Sequence, residues 1–206
     1  MLKLRKKLNK EGVKLMNPVE PIRDPKKILA IKRNLKESGN IRNYLLFVMG
    51  INTALRISDL LALKVTDVID RKGEIKEYLF IKEKKTGRNA KIYLNEAVKQ
   101  ALSQYFESGK AIDPSSYLFK SERSNKPLER VRVWMMIQDW IKEAGLEGER
   151  YGTHSLRKTW GYQARKQGAS IEQISEKLGH RSVTVTKRYI GINQEEINKI
   201  EKEICI

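Results

Sequence analysis

The stretch Tyr-Leu-Leu-Phe-Val-Met-Gly-Ile, residues 44–51, is apolar on nearly every side of the helix it would form. A helix with no polar face cannot lie on a surface, so it must sit inside a core with other elements around it. Its eight residues are far short of the roughly twenty a bilayer requires. A chain of 206 residues can bury such a core, and the length suggests one domain with a short appendage.

The flanking segments supply the surroundings. Asp24 suits an N-cap with Pro25 in the first turn, Ile28, Ile31 and Leu35 form one apolar stripe, and Gly39 ends the helix. A short helix restarts near Ser58. Two β-prone runs, EYLFIK and AKIYL, follow, separated by EKKTGRN with a glycine at the turn, and read as a hairpin that presents lysines. Helical spacing returns after Asn95, with Val98, Leu102 and Tyr105 or Phe106 inward. It returns again in LERVRVWMMIQDWIKEAG, where Val133, Ile137, Trp140 and Ile141 pack inward, the Trp and Met stripe reads as core, and Gly145 stops the helix. Short capped helices complete the last quarter, with Thr153, Ser170 (with Gln173) and Ser182 as caps. Ile197, Ile200 and Ile204 form a narrow apolar strip near the end, suited to a partner. The fold class is α+β, mainly helical, with a small antiparallel sheet at one edge.

Forty-two Lys and Arg against 25 Asp and Glu give a formal charge of +17. Such an excess points to a polyanionic partner, with nucleic acid foremost, because each neutralised phosphate releases condensed counterions. A single cysteine, Cys205, permits no intramolecular disulfide and fits a reducing cytoplasm. The basic first residues lack the apolar core of a signal peptide. A soluble, intracellular protein is expected.

The two histidines, His154 and His180, both lie in the basic last quarter, and no metal cluster surrounds either. His154 and Arg157 share one face of a helix at its N-terminal turn, where backbone N–H groups favour an anion, so the pair can grip one phosphate. Arg56 stands at the junction of a buried helix and a short one. An Arg56 to Asp59 ion pair would account for it, and so would a cleft that takes a phosphate. Tyr189 follows His180 by nine residues in a short helix. On its own it is an ordinary half-buried tyrosine.

Taken in order, TALRISDLLAL, KKTGRNAKIYL, THSLRKT and LGHRSVTVTKRYI resemble the catalytic domain of the tyrosine recombinases, the phage integrase family, over residues 24–192. The resemblance implies that Tyr189 is the nucleophile that forms a 3′-phosphotyrosyl link in double-stranded DNA and releases a 5′-hydroxyl, without metal, ATP or other cofactor. Arg56 and Arg157 resemble the arginines that clamp the non-bridging oxygens. His154 resembles the residue that accepts the tyrosine proton or contacts the phosphate, and His180 the histidine that hydrogen-bonds an equatorial oxygen. Lys85 resembles the general acid for the leaving oxygen, with Lys84 the competitor, and Asp59 the acid that orients an arginine. Lys84, Arg88, Arg181 and Lys187 are expected to face DNA.

Residues 1–23 are expected to be a basic arm and 193–206 a C-terminal helix that packs on a neighbouring protomer, with a homo-oligomer, a tetramer, on DNA in a bacterial or archaeal nucleoid. The implied function is site-specific recombination or integration of DNA, in a phage, a mobile element or a host. A type IB topoisomerase would use nearly the same catalytic set, and a DNA-binding module that has lost catalysis is the rival from another class.

Overall fold

A computed structural model describes residues 19–108, 113–122, 124–190, 198 and 201–205. The first helix, α1 (Pro25–Glu37), is set by its ends. Asp24 accepts a hydrogen bond from the Lys26 amide at 2.8 Å, Pro25 occupies the first turn, and Ile28, Ile31 and Leu35 are buried. In α2 (Ile41–Thr53) every residue from Tyr44 to Ile51 is buried, as a helix apolar all round requires. It ends at Ala54, which takes the left-handed conformation (φ 58°) usually left to glycine.

Around α2 pack α1, α5 (Glu96–Glu107) and α7 (Thr153–Lys166). Close approach to α7 depends on Gly50, where an added Cβ would lie 2.6 Å from Leu156 Cδ1. Phe47 meets Trp140 of α6 (Arg130–Glu143) edge to face at 5.8 Å. Two single-turn helices, α3 (Ile57–Leu60) and α4 (Val65–Val68), lead to the hairpin of β1 (Tyr78–Lys82) and β2 (Asn89–Tyr93). The strands are antiparallel, with Tyr78 opposite Tyr93 and Phe80 opposite Lys91. Leu79 and Ile92 point into the core, and the aromatic residues and lysine cover the other face.

Two short helices, α8 (Ile171–Leu178) and α9 (Val183–Ile190), close the described chain against α7. They pack a separate small cluster of Ala54, Ile174, Leu178 and Ile190. Gly161 permits this, since a Cβ there would lie 2.8 Å from Ile190 Cγ2. Before α1, residues 19–23 run along α7. The Ile22 amide donates to Thr159 Oγ1 at 2.8 Å, and Gln163 Nε2 donates to the Arg23 carbonyl at 2.9 Å.

The helical α+β class with one edge hairpin is what the sequence pattern calls for. Two details differ. The N-cap of α7 is Gly152, whose amide is taken by the Ser155 hydroxyl at 3.0 Å, and Thr153 is already helical. On α6 the Trp and Met stripe divides, with Met136 and Trp140 in the core but Trp134 and Met135 about half exposed, because α6 packs only one side against α1 and α7. Of the expected arm, residues 1–23, positions 1–18 lie outside the described residues, as does most of the tail, Ile197 and Ile200 included. Ile204 is described and is exposed.

Candidate active site

The site is organised by Arg157, one turn into α7 and only 4 % exposed. Its Nη1 donates to the Ala54 carbonyl at 2.6 Å and its Nη2 to the Leu178 carbonyl. One guanidinium therefore ties the left-handed end of α2 to the C-terminal end of α8, using carbonyls that helix ends leave unpaired. Burial pulls its pKa down, as does Arg56 nearby, while Tyr189 and Glu83 act the other way.

Arg56 precedes α3 and is held by an acid the sequence reading missed. Its Nη1 donates to Glu83 Oε2 at 2.6 Å, and the expected ion pair to Asp59 is not made. Glu83 is 3 % exposed and uses both oxygens. Oε2 also accepts from Thr86 Oγ1 at 2.6 Å, and Oε1 accepts from Arg88 Nη2 at 3.1 Å. Burial alone would raise its pKa, but the bonds from Thr86 and Arg56 and the charges of Arg56 and Arg88 outweigh burial and hold it at about 2. Arg88, expected to face DNA, also bonds inward, with its side chain 39 % exposed. Beyond Glu83 it donates to the Glu176 carbonyl at 2.9 Å and the Lys177 carbonyl at 3.3 Å.

Asp59 is likewise redirected. It is buried, and its Oδ1 accepts from the Lys84 amide at 3.0 Å, so it holds the hairpin turn and not an arginine. Lys84 and Lys85 both stand in that turn, outside the strands, so strand alternation does not separate them. Their surroundings do. Lys84 lines a hollow with Asp59, Asp67 and Phe80, whereas Lys85 lies near enough to His154 for its charge to act there.

His154, at the start of α7, is exposed on the rim, yet partial burial and the charges of Arg130, Arg157, Lys85 and Arg56 lower its pKa and keep it neutral at pH 7. Arg130, at the N-terminus of α6, is a second member that sequence reasoning missed. His180 follows Gly179, whose positive φ of 59° ends α8. Its Nδ1 lies 3.0 Å from Thr186 Oγ1, and burial with the charges of Arg157 and Arg56 brings its pKa to about 4.

Tyr189, near the end of α9, packs its ring edge-on to His180 at 4.8 Å, with Lys158 Nζ 5.2 Å from its centroid. Its Oη is buried and makes no well-formed hydrogen bond among the described residues. Burial raises its pKa, against the charge and a poorly aligned contact of Arg157 and the charge of Arg56. At neutral pH it is a phenol. Arg181 and Lys187 are exposed at either end of the same segment. Arg56, Lys85, His154, Arg157, His180 and Tyr189 thus come together from four separate parts of the chain.

This is the architecture of the tyrosine recombinase catalytic domains. The crystal structure of XerA recombinase superimposes with a TM-score of 0.71 at 24 % identity, over 90 % of this chain and 65 % of that one. XerH site-specific recombinase bound to palindromic difH substrate, in a post-cleavage complex, gives 0.70 at 18 % identity, over 86 % and 51 %. In sequence, the profile of the Phage integrase family matches residues 23–196. "Probable integrase/recombinase YoeC" of Bacillus subtilis is 39 % identical over 180 residues, 87 % of this chain and 93 % of that protein. "Tyrosine recombinase XerA" of Pyrococcus horikoshii is 28 % identical over 200 residues, 95 % of this chain and 67 % of that one. The chain belongs to the phage integrase family of tyrosine recombinases, whose members carry out site-specific recombination and integration. Among the described residues no helix is long and apolar enough to cross a membrane.

Proposed function

We propose that this chain cleaves and rejoins double-stranded DNA with Tyr189 as nucleophile. The Tyr189 oxygen attacks phosphorus, the bond from phosphorus to the 5′-oxygen breaks, and a 3′-phosphotyrosyl ester conserves the bond for rejoining. Neutral His154 takes the phenolic proton and Lys85 protonates the departing 5′-oxygen. Arg56, Arg157 and His180 stabilise the charge that grows on the non-bridging oxygens. With the Thr186 hydroxyl on Nδ1, the Nε2 of His180 is left for that phosphate.

The observation that carries this reading is the buried Tyr189 Oη, which lies beside the Arg157 guanidinium and has no well-formed hydrogen bond among the described residues. A buried hydroxyl without a partner is rare and calls for an explanation. An incoming phosphate supplies one. We further propose that DNA organises several copies into a tetramer, with residues 193–206 packed on a neighbouring protomer. The net charge of +17 supports binding to duplex DNA.

The test is incubation with a pool of nicked duplexes of random sequence, in which the short fragment released with the 5′-hydroxyl diffuses away. Denaturing gels should yield a covalent adduct, and sequencing its DNA should return one preferred site. Absence of adduct from the whole pool would refute the proposal.

A further inference from the structure

Among the described residues Glu83 is the carboxylate that pairs with both Arg56 and Arg88, and its position is over-determined. Beyond its side-chain bonds, its amide donates to the Arg88 carbonyl at 2.9 Å and its carbonyl accepts from the Gly87 amide at 2.8 Å. It therefore closes the turn that carries Lys85. Bonds among the described residues engage Arg56 through Nη1 only, so the rest of the fork faces elsewhere. On the other side, Arg88 holds the Glu176 and Lys177 carbonyls while Arg157 holds that of Leu178. Three consecutive carbonyls at the end of α8 are thus taken by two arginines, and Glu83 tethers one of those two as well as Arg56.

We infer that Glu83 is the positioning residue of this site: it fixes the Arg56 guanidinium for the scissile phosphate and, through Arg88, keeps the Lys85 turn against the end of α8, without touching DNA. The inference rests on the recombinase reading above. A carboxylate in contact with a phosphodiester would repel it, and Glu83 avoids this because both of its oxygens are occupied by cations and Thr86. The two arginines share one negative charge, so the pocket stays cationic while its members cannot drift apart. The alternative, in which Glu83 plugs Arg56 until a phosphate displaces it, predicts the opposite kinetics.

The experiment measures single-turnover adduct formation at saturating DNA. Glu83→Gln keeps the size and one acceptor oxygen but not the charge, and should slow the rate about 10-fold, with Glu83→Ala nearer 100-fold, the scale expected when a catalytic group is misplaced by about 1 Å. DNA affinity should not fall, because a negative charge is lost. A purely structural role would slow nothing beyond what lost stability explains, so the decisive arm is a double-mutant cycle. In an Arg56→Lys background the further loss from Glu83→Gln should shrink to less than about 2-fold, because coupled residues are not additive. Wild-type or faster rates in Glu83→Gln, or the full loss repeated in the Arg56→Lys background, would overturn the inference. If Glu83→Ala does not fold, Glu83→Gln carries the test. Wild-type protein without adduct refutes the recombinase reading itself, and Glu83 with it.

Discussion

The two apolar clusters of this molecule are built on different scales. The frame around α2 draws on nearly every helix and includes fully buried Phe47, Leu45, Leu46 and Phe119, whereas the cluster under α8 and α9 has four buried members, one of them an alanine. The frame carries Arg56, His154 and Arg157. The small cluster carries His180 and Tyr189. The difference separates a broad frame under the arginines from a small apolar patch under Tyr189, with α8 tied further by arginines on its end carbonyls.

The largest effect should come from Tyr189→Phe, which removes all adduct and leaves the frame intact. Because the lost hydroxyl is buried and has no well-formed hydrogen bond among the described residues, stability should hold or rise by up to about 1 kcal/mol, read by urea denaturation. Leu46→Ala attacks the opposite region. A fully buried leucine in a close-packed core should cost about 2–5 kcal/mol, and both regions should unfold together by circular dichroism.

Gly161→Ala sharpens the contrast. The new methyl meets Ile190, and its cost of about 1–3 kcal/mol should fall on α9 docking, with faster hydrogen exchange in residues 183–190 and unchanged exchange in α2. Acid should loosen the same segment. His180 titrates at about 4 in the fold against about 6.5 unfolded, so the unfolded chain takes up its proton first. Stability from this neutral imidazole is full above pH 6.5 and lost as pH falls toward 4, with His154 shifted in the same direction. His180→Asn should flatten the urea midpoint over that window. The smallest change is expected for Ala54→Gly. Relief of the left-handed φ is offset by the lost methyl and a freer unfolded chain, which leaves stability within about 0.5 kcal/mol.

What the sequence disclosed was local or periodic. Asp24, Asn95 and the Ser170 to Gln173 box announce their helices because a cap acts on amides two or three residues away. The apolar run of α2 announces its own burial. The six candidate catalytic side chains were legible only through their motifs. Glu83 was not, because an acid in KEKKTGR reads as one more solvated charge, and its burial is decided by Arg56, 27 positions earlier, and by the fold of its own turn. The inward bonds of Arg88 gave no signal for the same reason, since its partners on α8 lie 88 and 89 positions away. The left-handed Ala54 gave no signal, as glycine is the residue that marks such a turn.

The strap formed by residues 19–23 has a mechanical consequence. Its bonds to Thr159 and Gln163 fasten the leading segment to the shaft that bears His154 and Arg157, a rod of roughly 20 Å. Ile22 of the strap is itself buried in the frame, so a pull on residues 19–23 would load α7 and the core together.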